Sequence, residues 1–217
     1  MATAVSQKRS EAQPEIPTID SKIIDEYMSF MQRVAELQKS VSKDFTKLEH
    51  AAFPKLAPLL KQRAEHTSHI KDFWLEVLRS QDVLGILLED EQTVDAMSYL
   101  TDISTTLAPE SSKYTITFHF KSNPFFTNQT LFLTCEPDQE TVVVKDKSPI
   151  RWMTGKSIVK SLAKKNEEMM KQDPEYPPMG TIFELWENTD LNVGLLCDVI
   201  RELVDNCLDH YESAVFA

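Results

Sequence analysis

The sequence predicts an α+β fold in which one long N-terminal helix precedes an antiparallel sheet covered by helices. The first observation is a stretch from about residue 20 to residue 50 that contains neither Pro nor Gly and repeats apolar residues every three or four positions. The second is a strict alternation of apolar and polar residues over 114–120, which is typical of a half-buried strand. The third is an amphipathic pattern near the C-terminus, where apolar residues recur at helical spacing from Leu196 to Tyr211.

The apolar residues of the N-terminal helix form a heptad-like seam. We predict a dimerisation helix over 18–51, after a flexible arm at 1–17 and before a domain at 52–217. The seam could pack on the core of its own domain or pair with a second copy of the chain. Pairing is favoured because a helix of roughly 45 Å outruns a domain of this size. The predicted interface consists of Ile23, Tyr27, Phe30, Val34, Leu37, Val41 and Leu48.

Prolines and mixed charge predict two irregular segments. Pro54 and Pro58 predict a break in the helix, because proline lacks a backbone N–H and clashes with the preceding turn. A second helix is then expected to run to about Ser80. Residues 156–178 mix both signs of charge and end in prolines, which predicts a mobile basic loop.

The stretch YTITFHFKSNPFFTNQTLFL, residues 114–133, predicts a strand, a turn and a second strand. The turn SNPFFTN is longer than the Asn-Gly or Asp-Gly turn of a simple hairpin and carries Phe125 and Phe126. We expect both rings to cap the sheet against neighbouring helices. The other interpretation is an exposed hydrophobic hook for a partner. Residues 142–144 and 150–153 are predicted as further strands.

The formal net charge of −11 is distributed unevenly along the chain. Residues 82–112 hold seven acids and no Lys or Arg, and residues 173–217 hold ten acids against Arg201 alone. Residues 145–171 carry eight bases and three acids. A surface this acidic attracts basic proteins and repels nucleic acid. Weak contact with DNA through the basic segment stays open as a secondary role.

The last predicted helix carries its acids on one side. At about 100° per residue, Asp198, Glu202, Asp205, Asp209 and Glu212 fall opposite the apolar residues. Exposed helix faces usually mix charge signs and gain ion pairs, whereas carboxylates three and four residues apart repel each other. The face therefore either binds a cationic partner or is merely hydrated, and the first interpretation is favoured.

The sequence shows no common nucleotide-binding motif, no apolar run long enough for a membrane helix and no complete set of metal ligands. The chain has 4 Gly and neither of the Gly-rich phosphate-binding motifs. Its longest apolar run is far shorter than the roughly 20 residues of a membrane helix. The three cysteines lack C-x-x-C spacing, which predicts reduced thiols in the cytosol or nucleus. His66 and His69 have the spacing of metal ligands, but no further ligand completes a site. We predict no metal and no cofactor; a Ser-His-Asp triad stays open because its members converge only in space.

Five pieces of sequence occur in order from about residue 20 to the end. They are LLKQRAEHTSHIKDFW, LLEDEQTVDAMSYLTDI, YTITFHFKSNPFFTNQTL, IRWMTGKSIVK and TIFELWEN. The third contains an Asn-Pro-aromatic-Phe turn and the fourth a Trp-x-x-Gly-Lys pattern. In these pieces and their order the chain resembles the nucleosome assembly protein family of histone chaperones, and within it the SET (template-activating factor I) branch.

The resemblance implies a homodimer joined by long antiparallel helices, with an α/β earmuff domain that grips core histones on its acidic underside. It implies no enzymatic activity, and we expect a nuclear location with cytoplasmic shuttling. The alternative is a regulatory binder that inhibits a phosphatase or masks acetylation sites on histones. Family members usually end in a long acidic tail, whereas this chain ends at Ala217 without one. The expected histone-binding residues are Glu89, Asp90, Glu91, Asp173, Glu175, Glu184, Glu187, Asp190, Asp198, Glu202, Asp205 and Asp209.

Overall fold

The computed structural model describes residues 20–109, 111–138, 141–188 and 193–216. The helices are α1 (Ser21–Thr67), α2 (Phe73–Arg79), α3 (Asp82–Gly85), α4 (Glu91–Met97), α5 (Ile158–Gln172), α6 (Glu184–Glu187), α7 (Val193–Asp205) and α8 (Cys207–Phe216). The strands are β1 (Leu100–Leu107), β2 (Tyr114–Phe120), β3 (Thr130–Asp138) and β4 (Thr141–Lys147). They form one antiparallel sheet in chain order. The predicted α+β fold is confirmed. Among the described residues, those up to Asp44 and those from Phe45 onward form separate compact units.

One face of the sheet carries the core. Tyr114, Ile116, Phe118 and Phe120 of β2 are buried, and the residues between them are half-buried, as the alternating pattern predicts. Helices α2 and α7 pack against the sheet, and α8 packs against α2. The core thus lies between the buried face of the sheet, to which every second residue of β2 contributes, and the apolar sides of these helices.

The predicted helix break at Pro54 and Pro58 is wrong, because α1 continues through both residues to Thr67. The two prolines are four residues apart and both are exposed. The carbonyl groups of His50 and Pro54, which lose their N–H partners, therefore lie on a side that water can reach. Arg63 and Thr67 on the other side of the same helix pack into the domain and hold it in register.

Two strand predictions need correction. The sequence pattern does not predict β1, in which only Ile103 is fully buried. This strand forms because it pairs with β2 along most of its length, with a register shift near Asp102. Residues 150–153 do not form a strand, and Trp152 makes only an isolated bridge to Phe126. The strand predicted at 142–144 is confirmed as part of β4.

The long turn after β2 folds its aromatic pair inward. The Asn123 side chain accepts hydrogen bonds from the backbone N–H groups of Phe125 and Phe126 at 2.9 and 3.0 Å. Both rings are buried, and Phe126 makes edge-on contacts with Trp152 and Phe183. The predicted capping role is confirmed, because an Asx-type turn leaves the backbone polar groups paired while the rings enter the core.

The predicted mobile basic loop contains a helix, α5. Ser157 caps its first turn by accepting the N–H of Lys160, and Ile158 and Leu162 are buried one turn apart. The Asn166 side chain exchanges two hydrogen bonds with the backbone of Met179, at 2.8 and 3.1 Å. The mixed charges that suggested a loop include a helical i,i+4 ion pair between Lys164 and Glu168.

The first turn of α7 meets the edge of the sheet at Gly194. A Cβ atom at this position would lie 1.7 Å from the carbonyl oxygen of Val142 in β4. No side chain fits at that distance, and the obstacle is backbone rather than a flexible side chain. Glycine is therefore what permits the close approach of α7 to β4.

Gly194→Ala is expected to lower the free energy of unfolding by roughly 1–3 kcal/mol, because α7 and β4 must separate to admit the methyl group. Thermal or urea unfolding measures the change. Gly85→Ala is the matched control, since its Cβ would meet only Arg79 O at an ordinary 3.5 Å. The control is expected to be neutral or slightly stabilising. Equal effects of the two substitutions would contradict the role of Gly194.

Candidate functional site

Helices α7 and α8 present carboxylates along one exposed side. Asp198, Glu202, Asp205, Asp209 and Glu212 are all exposed, which confirms the orientation that the sequence predicts. The single helix of the prediction is interrupted at Asn206, although the hydrogen bonds around it keep helical spacing. The opposite, buried side comprises Val193, Leu196, Cys197, Ile200, Leu203, Val204 and Cys207.

Asp198 is tied to the sheet. Tyr114, the first residue of β2, donates its hydroxyl hydrogen bond to Asp198 Oδ1 at 3.0 Å. Burial raises the pKa of the Tyr114 hydroxyl, and the Asp198 carboxylate adds to the effect, so Tyr114 remains protonated and donates. The Arg201 guanidinium lies over the Tyr114 ring, 4.6 Å from its centroid, and forms an ion pair with Glu49 of α1.

Asp205 lies near two guanidinium groups. Partial burial raises the pKa of its carboxyl group, while Arg201 and Arg63 act in the opposite direction. Arg63 donates hydrogen bonds to the carbonyl oxygens of Val204 in α7 and Ile103 in β1. Asp198 and Asp205 are thus partly engaged by groups of the protein itself, which the sequence pattern does not reveal.

Glu202 connects the acidic side of α7 with the end of α2. Its carboxylate lies 3.2 Å from His210 Nε2, and His210 Nδ1 lies 3.3 Å from Ser80 Oγ. The Ser80 hydroxyl donates to the Val77 carbonyl at 2.8 Å. The Ser80 hydroxyl hydrogen is therefore already used in a hydrogen bond to the backbone of α2. The Ser80, His210 and Glu202 side chains thus connect α2 with α7 and α8.

The acidic residues before α4 lie beside the same end of α2. Arg79, the neighbour of Ser80, donates to the carbonyl of Leu88 at 3.4 Å. Asp90 caps α4 by accepting two backbone N–H groups at 3.1 Å, and it lies 3.9 Å from Lys165 Nζ. Glu89 and Glu91 are exposed. The segment before α4 and the α7–α8 junction therefore both contact the C-terminal end of α2.

Helix α6 is held next to the α4 segment. Thr93 and Thr181 share a buried hydrogen bond of 2.8 Å, and Ile182 N–H donates to Leu87 O at 3.0 Å. Burial raises the pKa of Glu184 in α6. Glu187 accepts a hydrogen bond from the Trp152 indole N–H.

The remaining predicted residues are dispersed. Asp173 and Glu175 are exposed after α5, and Asp190 lies outside the described residues. Sequence reasoning missed Tyr114, Arg63 and Glu49 as partners of the acidic helix. Arg201 had a signal, since it is the single base among the ten acids of 173–217.

The heptad-like seam of α1 is open to solvent in a single chain. Val34 is half-buried, and the other six seam residues are between 47% and 66% exposed. None of the helices in the described ranges combines the length and apolar character that crossing a membrane requires. The same residues contain no cluster of three His, Cys, Asp or Glu arranged to hold a metal ion.

Comparison with protein-family models identifies a match along most of the chain. The model described as nucleosome assembly protein matches residues 4–176. Among curated relatives, the chain is 25% identical over 195 residues to a probable nucleosome assembly protein of Dictyostelium discoideum, covering 73% of the chain and 60% of the relative. It is 28% identical to NAP1-related protein 2 of Arabidopsis thaliana, covering 73% and 63%. It is also 25% identical to Protein SET of Drosophila melanogaster, covering 88% and 74%. The chain thus spans less than two thirds of the first two relatives.

Solved structures show the same fold. Nucleosome assembly protein S of Plasmodium falciparum superposes with a TM-score of 0.61 at 21% identity, covering 87% of this chain and 99% of that one. The Vps75 histone chaperone superposes with a TM-score of 0.57 at 20% identity, covering 86% and 97%.

Proposed function

Because the chain belongs to the nucleosome assembly protein family, we propose that it is a histone chaperone that binds core histones through its acidic surface during nucleosome assembly. The acidic surface is defined here as Glu89–Glu91, the acids of α6 and those of α7–α8. The observation that carries the proposal is that the segment before α4 and the α7–α8 junction contact the same end of α2, while α6 is joined to α4, although these segments are far apart in the chain. No observation favours the alternative of a phosphatase inhibitor or a masker of acetylation.

The acidic surface suits a partner rich in Lys and Arg. Its carboxylates attract basic histones over several ångströms, raise the rate of encounter and disfavour acidic competitors. Exposed charges are screened within about 8 Å at physiological ionic strength, so binding weakens as salt rises. A histone held in this way is shielded from non-specific contact with DNA and is released where DNA competes successfully.

Two further features belong to the proposal. The exposed seam of α1 fits a homodimer, because pairing removes large apolar side chains from water at roughly 1.5–3 kcal/mol each. The lysines of α5 are exposed and could make weak contacts with DNA phosphates while histones are transferred. A nuclear location belongs to the same proposal and is supported by the family; shuttling through the cytoplasm remains a prediction.

The acidic surface is tested by the combined change Asp198→Asn, Glu202→Gln, Asp205→Asn and Asp209→Asn. We expect the affinity for purified core histones to fall more than about tenfold, or roughly 1.4 kcal/mol. The dependence of affinity on salt should also flatten, because fewer charges act between the partners. A fluorescence titration at several salt concentrations measures both quantities.

The control removes the same number of charges elsewhere, through Asp25→Asn, Glu26→Gln, Glu36→Gln and Glu65→Gln. These four acids are exposed on α1, so this variant is expected to retain most of the affinity. Circular dichroism and thermal unfolding establish that both variants are folded, which matters because Asp198 accepts the Tyr114 hydrogen bond. Equal losses of affinity in the two folded variants would show that net charge, and not this surface, determines binding.

A further inference from the structure

Two apolar side chains are exposed in the segment that leads into α4. Val83 of α3 is 45% exposed, and Ile86, at the start of the 3₁₀ turn that follows α3, is 59% exposed. Residues three apart on a helical turn are neighbours on its surface, so the two side chains form one apolar patch. Leu84 and Leu88 of the same segment are buried in the core. The segment is therefore packed on the domain and still presents this pair to solvent.

The backbone that carries the patch is held by two other parts of the domain. The carbonyl oxygen of Leu87 accepts a hydrogen bond from Ile182 N–H at 3.0 Å, and that of Leu88 accepts one from Arg79 at 3.4 Å. The Leu87 side chain lies so close to Gly180 that a Cβ there would come within 2.8 Å of it. A surface that is already ordered loses little conformational freedom when a partner binds, so more of its apolar contact is available as affinity.

Carboxylates lie on both sides of the patch. Residues 82–91 contain four acids and neither Lys nor Arg. The backbone keeps right-handed helical dihedral angles at the positions that follow α3 and at Glu89. Asp82 lies four residues before Ile86 and Glu89 three residues after it, so both exposed carboxylates neighbour the Ile86 side chain. In the part of the chain that the structure describes, neither carboxylate has an ion-pair partner.

We propose that Val83 and Ile86 form an apolar contact site for a core-histone segment in which an apolar side chain is flanked by Lys or Arg. The apolar side chain packs on the pair, and the flanking cations pair with Asp82 and Glu89. The charge of this surface selects such a segment over a second copy of the chain, which at a net charge of −11 would bring acid against acid.

The inference rests on the proposed function and adds a source of affinity to it. Carboxylates at the rim of an interface act mainly on the rate of encounter and on specificity. A few buried apolar anchors, in contrast, carry much of the binding free energy of an interface. The acidic surface and the apolar patch therefore make separable contributions to histone binding.

The combined change Val83→Thr and Ile86→Thr removes apolar surface and keeps both side chains branched at Cβ. We expect the dissociation constant for purified core histones to rise at least about fivefold, the effect that marks an energetically important interface residue. The factor should be the same at low and at high sodium chloride, because salt screens charges and not apolar contacts. The variant of Asp198, Glu202, Asp205 and Asp209 should instead flatten the dependence on salt. Fluorescence titrations measure both quantities.

Met153→Gln with Met170→Gln is the matched control. The two methionines are 40% and 45% exposed, close to the value for Val83, but they lie in the segment where bases predominate. We expect this variant to bind histones as the unmodified protein does. Val83→Ile with Ile86→Val, which exchanges the two side chains and keeps the patch apolar, should also retain the affinity. Thermal unfolding and light scattering compare the fold and the mass of every variant with those of the unmodified protein.

The possible outcomes distinguish this inference from the proposed function. Unchanged affinity of the threonine variant, with a loss in the acidic-surface variant, overturns this inference alone. An unmodified protein that does not bind histones overturns both. The inference is also overturned if the loss disappears at high salt or if the glutamine control loses as much affinity. A change in the mass of the threonine variant without histones overturns it as well, because the patch would then be an interface between copies of the chain.

Discussion

Replacing Arg63 by Met is expected to lower the free energy of unfolding by about 3–5 kcal/mol, the range for breaking a buried ion pair by removing one partner. The Arg63 guanidinium joins three elements, since it donates to Val204 O of α7 and Ile103 O of β1 from its position on α1. It also lies 3.9 Å from Asp102 Oδ1, and both side chains are at least four-fifths buried. The methionine leaves Asp102 without its counter-charge and two carbonyl groups without a donor.

The way in which this loss of stability depends on pH distinguishes the contribution of the ion pair from that of packing. Burial raises the pKa of the Asp102 carboxyl above its ordinary value of 3.8, and Arg63 is the largest opposing influence. In the Arg63→Met variant we expect a further rise in this pKa. The folded protein then binds the proton more strongly than the unfolded chain, so stability increases as pH falls through the raised pKa. Urea unfolding at pH 7 and pH 5 is expected to show a smaller deficit at pH 5.

The double variant Arg63→Met with Asp102→Asn provides the control. Removing both charges avoids an unpaired buried carboxylate, so we expect the double variant to recover a large part of the lost stability at pH 7. Its stability should also depend less on pH than that of Arg63→Met. A double variant as unstable as the single one, with an unchanged pH profile, would assign the loss to packing and the carbonyl contacts alone.

The combined change Phe30→Glu and Val34→Glu is expected to convert a dimer into a monomer. In a symmetric interface each substitution places an unpaired charge in the apolar seam twice. We expect the dissociation constant to rise by at least about a thousandfold, or roughly 4 kcal/mol. Light scattering at micromolar concentration measures the mass of each species.

A matched variant places negative charge elsewhere on the same helix. Gln32 and Lys39 lie roughly 140–160° from the neighbouring seam positions at 100° per residue, so Gln32→Glu with Lys39→Glu should remain dimeric. Circular dichroism checks that helix content is retained in both variants. A monomeric mass for the unmodified protein would refute the dimer, and a dimeric mass for the seam variant would place the interface elsewhere.

Periodic apolar patterns in the sequence are sufficient to predict the helices and strands that have one buried side. The alternation of β2 and the apolar stripe of α7–α8 follow directly from the chain, and so does the exposure of Asp198, Glu202, Asp205 and Asp209. A side chain's direction within a helix or strand depends on its own position in the repeat, which is local information. The five motifs and their order were likewise sufficient to identify the family.

Tertiary contacts decide the remaining features. β1 has little alternation and exists as a strand because it pairs with β2, while α5 and the path of α1 through Pro54 and Pro58 depend on packing against the domain. The partners that the acidic helix finds outside itself come from residues 49, 63 and 114, which are distant from it in the chain. No local pattern encodes such contacts, because hydrogen bonds and ion pairs form wherever folding brings the groups within a few ångströms. The sequence by itself determined the negative charge of the acidic surface and the side of the helix on which it lies. Only the tertiary structure decided which of its carboxylates already contact groups of the protein itself.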